Sequence, residues 1–201
     1  MILENKAWKE YFLKEIFETT QRGKRLIKSK QTLGDRPYIS STALNNGIDG
    51  FISNSKGVKG FKNCLTMANS GSVGATFFHI YEFVASDHVT SLSNKNFSRE
   101  VYLFLATQIR KLSERYNFNR EINGQRLLRE KVMLPVLKDG SPDYGFMENT
   151  IEDIRHKKRT QYSTYAAKVL DEINHQPVPL LNEKKWKAFR IGDIFHINKG
   201  F

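Results

Sequence analysis

The chain has 201 residues, enough for one sizeable domain with its own core and some appended structure, and too few for two such domains. Its 32 Lys and Arg against 21 Asp and Glu give a formal charge of +11 and an isoelectric point near 9.7, a field that attracts polyanions and points first to nucleic acid. No stretch approaches the ~20 apolar residues of a membrane span, the opening MILENKAWKE lacks a signal-peptide core, and Cys64 has no disulfide partner in the chain, which fits a reducing cytoplasm.

The chain opens with Trp8 to Phe17, a segment that returns below as half of a repeat. A basic run follows from Arg22 to Arg36, with Arg22, Lys24, Arg25, Lys28, Lys30 and Arg36 against the single acid Asp35. Residues Asn63 to Ser93 hold short β-rich runs (Leu65–Ala68, Ala75–Ile80, Phe83–Ser86, His88–Leu92) divided by Asn-Ser-Gly, Tyr-Glu and Ser-Asp turns, and they read as one compact sheet. Ser98 is an N-cap for a helix whose Val101, Leu105, Ile109 and Leu112 recur at three- and four-residue spacing, ending near Tyr116. A second basic run carries Arg110, Lys111, Arg115, Arg120, Arg126, Arg129 and Lys131 against three glutamates. In or beside these runs stand amides such as Gln21, Asn119, Asn123 and Gln125, which can bond phosphates or base edges and so favour nucleic acid over a membrane surface.

The last long element runs from near Phe146 to about Asn174, with Met147, Ile151, Ile154, Tyr162, Tyr165, Ala166, Val169, Leu170 and Ile173 as an interrupted apolar stripe. At 1.5 Å per residue it spans roughly 40 Å, and Pro177 and Pro179 stop it. Its middle, His156 to Gln161, is polar all round, so this helix is expected to lie lengthwise on a partner helix. The repeat then appears. Trp186-Lys187-Ala188-Phe189-Arg190-Ile191-Gly192-Asp193-Ile194-Phe195 matches Trp8-Lys9-Glu10-Tyr11-Phe12-Leu13-Lys14-Glu15-Ile16-Phe17 at a distance of 178 positions, and Gly23 and Gly200 follow the two copies. The sequence therefore reads as one full unit and the opening of a second.

Three motifs invite a chemical reading. Pro142-Asp143 with Glu148 faintly suggests nuclease metal ligands, but the lysine is missing, the spacing is short, and a turn ahead of the long helix explains the residues better. Asp87-His88 has no second histidine or cysteine at metal-ligand spacing and reads as a structural strand start. Gly71-Ser72-Val73-Gly74 lacks the ending of a P-loop and is first a tight turn, although its small residues allow Asn69, Ser70 and Ser72 to approach a phosphate. No metal site, S-adenosylmethionine site or dinucleotide fold is legible.

The segments Trp8 to Phe17 with Gly23, Tyr38-Ile39-Ser40, Asn45-Asn46-Gly47-Ile48, Met67 to Gly74 and Ser86-Asp87-His88-Val89 resemble the specificity subunits of type I restriction-modification systems and of related type II methyltransferase-nuclease systems. Leu134-Pro135-Val136 leading into Gly140 to Tyr144 and Phe146-Met147-Glu148 is most similar to the type II form. The resemblance implies an α+β target-recognition domain with a small twisted β-sheet and packed helices over residues 1–143. It further implies a long, coiled-coil-like spacer helix over 144–176 and a truncated second recognition domain over 177–201, in a half-length, non-catalytic chain.

The implied partners are double-stranded DNA, a methyltransferase subunit that holds S-adenosylmethionine, and a restriction subunit. A homodimer is expected through the stripe of Ile151, Ile154, Tyr162, Tyr165, Val169 and Ile173, because the chain supplies one spacer helix where a full subunit pairs two. Candidate DNA contacts are Arg22, Lys24, Arg25, Lys28, Asn69, Ser70, Ser72, Arg120, Asn123, Gln125, Arg126 and Arg129, with arginine suited to guanine and asparagine or glutamine to adenine. The rival readings are a stand-alone DNA or RNA binder and a self-contained nuclease or methyltransferase.

Overall fold

The computed structural model describes residues 6–116, 121–122, 124–172, 182 and 185–190. Contacts divide the chain into two units, Met1–Lys157 and Lys158–Phe201.

The first unit is closed by its own ends. Strand β1 (Trp8–Phe12) pairs antiparallel with β10 (Lys131–Pro135), from Trp8 opposite Pro135 to Phe12 opposite Lys131. The short helix α1 (Leu13–Ile16) follows at once, with the Glu15 carboxylate accepting the Phe12 amide at 2.7 Å. Leu13, Ile16 and Phe17 are buried in the main core and Trp8 stacks on Phe104 at 6.2 Å, so the repeated segment is a core-building unit. Of its second copy, Trp186 to Arg190 are exposed and carry neither helix nor strand, and residues 191–195 lie outside the described residues.

The β-rich middle is two four-stranded sheets, not the single compact sheet expected. One has the order β2 (Thr19–Arg22), β9 (Val89–Ser93), β6 (Cys64–Ala68), β7 (Thr76–His79), all antiparallel. The other has the order β4 (Ile48–Ile52), β3 (Leu33–Ile39), β8 (Phe83–Ala85), β5 (Gly60–Phe61), with β3 and β8 parallel. The division falls at Ser86–His88. There the Ser86 amide donates to Ile39 at 2.9 Å and the Asn69 amide donates to His88 at 2.8 Å, so the chain leaves one sheet and enters the other. Asp87-His88 thus turns a corner between sheets, which agrees with its reading as structural.

Helix α2 (Arg99–Arg110) begins where the Ser98 hydroxyl accepts the Val101 amide at 3.3 Å. It ends earlier than Tyr116, tightening after Arg110 into a 3-10 turn over Lys111–Arg115. Its Val101, Tyr102, Leu105 and Ile109 are buried against Leu65, Met67 and Leu92 of the first sheet and against α1. A full side chain of this size buried from water stabilises by about 1.5–3 kcal/mol, so this interface contributes several kcal/mol to the fold. A smaller cluster, Ile39, Cys64, Phe83, Ala85 and Val89, joins the two sheets.

A short helix α3 (Gly124–Arg129) leads into β10, and α4 (Tyr144–Glu172) is the long helix expected, 29 residues or about 43 Å. It starts two residues early because Asp143 caps it: Oδ1 accepts the Phe146 amide at 2.9 Å while Oδ2 takes the Lys6 ammonium at 2.5 Å. Burial alone would raise the Asp143 carboxyl, but these two bonds outweigh it and hold it below the ordinary carboxylate value. Pro142-Asp143 is therefore the predicted turn. Met147 is buried and Ile151 packs on the main core, whereas every side chain from Glu152 to Tyr165 is exposed. Among the described residues no helix is long and apolar enough to cross a membrane.

Candidate nucleic-acid interface

Gly23 decides how the first basic run is presented. Its amide donates to Val89 and the next one, of Lys24, donates to Ala85, at 2.9 and 3.0 Å, so the chain crosses the corner between the sheets at contact distance. A Cβ at Gly23 would lie 2.2 Å from the Ser86 carbonyl oxygen, which excludes any other residue. Beyond this crossing Lys24, Arg25 and Lys28 stand exposed on a connection that includes a 3-10 turn, Lys28–Lys30. Leu26 and Tyr38 anchor that connection, the Tyr38 hydroxyl donating to the Leu26 carbonyl at 3.2 Å. Arg22, at the end of β2, donates its Nε to the Asp87 carbonyl and projects from the same corner.

Beside this run lies a polar cleft of about 260 Å³, lined by Arg25, Lys28, Tyr38, Asp49, Asp87 and His88 among others. His88 is held by a 2.7 Å hydrogen bond between its Nδ1 and the Ser70 hydroxyl, with Asp87 at 4.0 Å from Nε2. Tyr38 has its hydroxyl pKa raised, first by burial and then by the charges of Asp87 and Asp49, against bonds from Ser86 and Leu26 that lower it. Among the described residues no three of His, Cys, Asp or Glu are grouped to hold a metal.

The turn residues divide. Asn69 is 2% exposed and its side-chain oxygen accepts from Thr90 at 2.9 Å, while buried Ser70 is taken by His88; both build the corner and neither offers a surface group to a phosphate. Ser72 is half-buried on a larger cavity of about 580 Å³, whose charged liner is Arg110. Arg110 donates to the Thr76 carbonyl at 2.9 Å and sits 4.8 Å above the Phe77 ring.

The second basic run is placed differently. Gln125, Arg126 and Arg129 are exposed on α3, which packs on α1, and Arg126 donates to the Glu121 carbonyl at 2.8 Å. Arg115 lies 3.7 Å from Glu130, and Lys131 lies 3.0 Å from Glu10 on the neighbouring strand. Arg120 and Asn123 lie outside the described residues.

Lys24, Arg25, Lys28 and Lys30 make no such pairs among the described residues. The structure also draws in charges that the sequence reading passed over. The β4–β5 connection, which also carries Lys56, brings Lys59 alongside, its Nζ donating to the Arg22 carbonyl at 3.1 Å. From Arg22 to Lys62 there are nine Lys and Arg against Asp35 and Asp49. The available signal was the total absence of acids between Asp49 and Glu82.

Two buried titratable groups belong to the scaffold. Burial pushes the Cys64 thiol up to about 12, which keeps it protonated and unreactive. Burial lowers His79 to about 4, and its ring is satisfied while neutral by Thr66 at 2.8 Å and Tyr81 at 3.0 Å.

Comparison with known proteins gives a consistent picture. A family model described as the type I restriction modification DNA specificity domain matches residues 5–162. The type II restriction enzyme specificity subunit S.BcgI of Heyndrickxia coagulans is 34% identical over 157 residues, 77% of this chain and 46% of that protein. Among solved structures, the S subunit of a type I restriction-modification system from M. genitalium is similar with a TM-score of 0.56, at 16% identity, over 86% of this chain and 46% of that one. The HsdS subunit from Thermoanaerobacter tengcongensis is similar with a TM-score of 0.54, at 14% identity, over 80% and 41%. At these identities the structures speak for the fold. The chain spans a little under half the length of each of these relatives.

Proposed function

Because the chain belongs to the family of type I restriction-modification DNA specificity domains, we propose that it reads duplex DNA and delivers a separate methyltransferase or restriction subunit to the site. The observation that carries this reading is the group Lys24, Arg25, Lys28 and Lys30, without an ion pair among the described residues and set beside a corner between two sheets, in a chain of that family. Arg22, Lys24, Arg25 and Lys28 reach the DNA from this surface, and Gln125, Arg126 and Arg129 reach it from α3; phosphate contacts position the protein and side chains that reach base edges choose the sequence. The chain itself performs no bond chemistry in this reading, and S-adenosylmethionine is held by the methyltransferase.

Residues 1–143 serve as the recognition domain, 144–176 as the spacer and 177–201 as the start of a second unit. The spacer's exposed stripe supports pairing with a second copy. Ile154, Tyr162 and Tyr165 are 40, 72 and 64% exposed, and Val169 is half-exposed. Ile151 is withdrawn from that stripe because it packs on the main core, and Ile173 lies outside the described residues. An isologous contact lets one stripe cover itself in a two-fold dimer.

A random-site selection on duplex DNA tests the recognition role: enrichment of a defined sequence is expected, and recovery of no preferred sequence contradicts it. Light scattering at tens of micromolar tests the pairing. A dimer that Ile154→Glu with Val169→Glu converts to monomer is expected, whereas a wild-type monomer contradicts it.

A further inference from the structure

We propose that Lys30, Lys56 and Lys59 form a ridge that grips DNA phosphates irrespective of base sequence, leaving base choice to other residues; the proposal rests on the DNA-reading role above. Lys30 stands on the connection after β2 and Lys56 and Lys59 on the connection between β4 and β5, so nothing in their sequence separation announces a common surface. Asn54 joins them. Its side-chain oxygen accepts the Thr32 amide at 2.8 Å, its side-chain nitrogen donates to the Lys30 carbonyl at 2.9 Å, and its own carbonyl accepts Arg36. Beside it the Ser53 amide donates to Thr32 at 2.9 Å.

The second connection is fastened at both ends, because β4 is paired to β3 and β5 to β8. Its tip turns at Gly57, with φ at +75° and open space where a Cβ would stand. The ridge is therefore two loops clipped into one preorganised element.

The chemistry selects phosphate. A lysine ammonium is a compact charge with rotating donors, able to neutralise a phosphate without the fixed fork by which arginine selects a base edge. Arg36 is already committed to Asn54, whereas Lys59, which gives one donor to the Arg22 carbonyl, keeps two for a phosphate. Lys62 is left out because Glu82 lies 3.9 Å away. No acid occurs between Asp49 and Glu82 to offset the ridge from within its own loop.

The test compares the full chain with K30Q/K56Q/K59Q on a selected duplex and on random duplexes between about 50 and 200 mM salt. Three lost phosphate contacts shrink the log–log salt slope by about 2.7, so the affinity lost across that range becomes about 40-fold smaller, equally on every sequence. K30R/K56R/K59R, which keeps the charge, should keep the slope. If the wild type binds duplex DNA and the Gln variant has the same slope, the ridge is refuted while DNA reading stands. A loss confined to one sequence, or no retention of slope by the Arg variant, also refutes the phosphate role. If the wild type binds no duplex, the reading beneath the proposal fails and the ridge with it.

Discussion

The two basic segments of this protein carry similar numbers of Lys and Arg and differ in how many of them are paired with acids. From Arg22 to Lys62, Lys24, Arg25, Lys28, Lys30 and Lys56 form no ion pair among the described residues, while Arg22, Arg36 and Lys59 donate to backbone carbonyls and Lys62 meets Glu82. From Arg110 to Lys131 the positive groups are answered by their own domain: Arg115 by Glu130, Lys131 by Glu10, Arg126 by the Glu121 carbonyl, and Arg110 by the Thr76 carbonyl and the Phe77 ring. A positive charge paired with a carboxylate gives little to a polyanion, because the field beyond a few ångströms is that of a dipole and is screened by salt, whereas one bonded to a carbonyl keeps its charge. Local neutralisation separates a binding surface from a structural one better than charge density does.

The comparison is sharpened first by removing stability from it. His79 is buried neutral and lowered to about 4, so the unfolded chain takes up its proton below about 6.5 while the folded chain refuses it until about 4. Stability is therefore fully present above pH 6.5 and falls as the pH drops toward 4, by about 3 kcal/mol at most. Denaturant midpoints across that window measure it, and a flat profile would show that His79 is not held neutral. His79→Phe should flatten the profile, so DNA-binding measurements made above pH 6.5 report on the surface and not on this core.

Arg126 is the place where the comparison is most easily broken. It belongs to the neutralised segment yet is exposed on α3 and remains a proposed base reader. Arg126→Ala should weaken binding by roughly 1–3 kcal/mol and relax preference at one base position, as loss of a bidentate guanine contact does. Equal weakening on all sequences would make it a phosphate contact, and no weakening would place it with its paired neighbours.

The smallest effect is on the paired residues themselves. Arg115→Ala should cost up to about 1 kcal/mol of stability, as exposed ion pairs do, and change duplex affinity by less than about threefold. A larger change in affinity than in stability would move Arg115 into the interface.

What was legible in the sequence is what local chemistry determines. Ser98 caps α2, the three- and four-residue spacing of Val101, Leu105 and Ile109 gives that helix its buried face, and the long helix follows the Pro142-Asp143 turn. The Trp8 to Phe17 motif proved to be core because Leu13, Ile16 and Phe17 turn inward and Trp8 and Tyr11 pack against them, while Phe12 lies under Lys14 and Lys131.

What escaped depends on partners distant in the chain. The parallel pairing of β3 with β8, separated by more than forty residues, splits the expected single sheet in two. Asn69 and Ser70 looked available because their partners, Thr90 and His88, arrive from another strand and its preceding corner. Neutralisation of Lys131 was hidden for the same reason, since Glu10 meets it only through the pairing of β1 with β10.

The central claim, that the first basic segment contacts DNA while Arg115 and Lys131 of the second are held by the domain, is tested most directly by the salt dependence of duplex binding. The wild type should lose affinity steeply between about 50 and 200 mM salt, and Arg25→Gln with Lys28→Gln should reduce the log–log slope by about 1.8, two contacts at about 0.9 each. Arg115→Gln with Lys131→Gln should leave the slope within about 0.5 of wild type. The reverse pattern, an unchanged slope for the first pair and a reduced one for the second, would contradict the account.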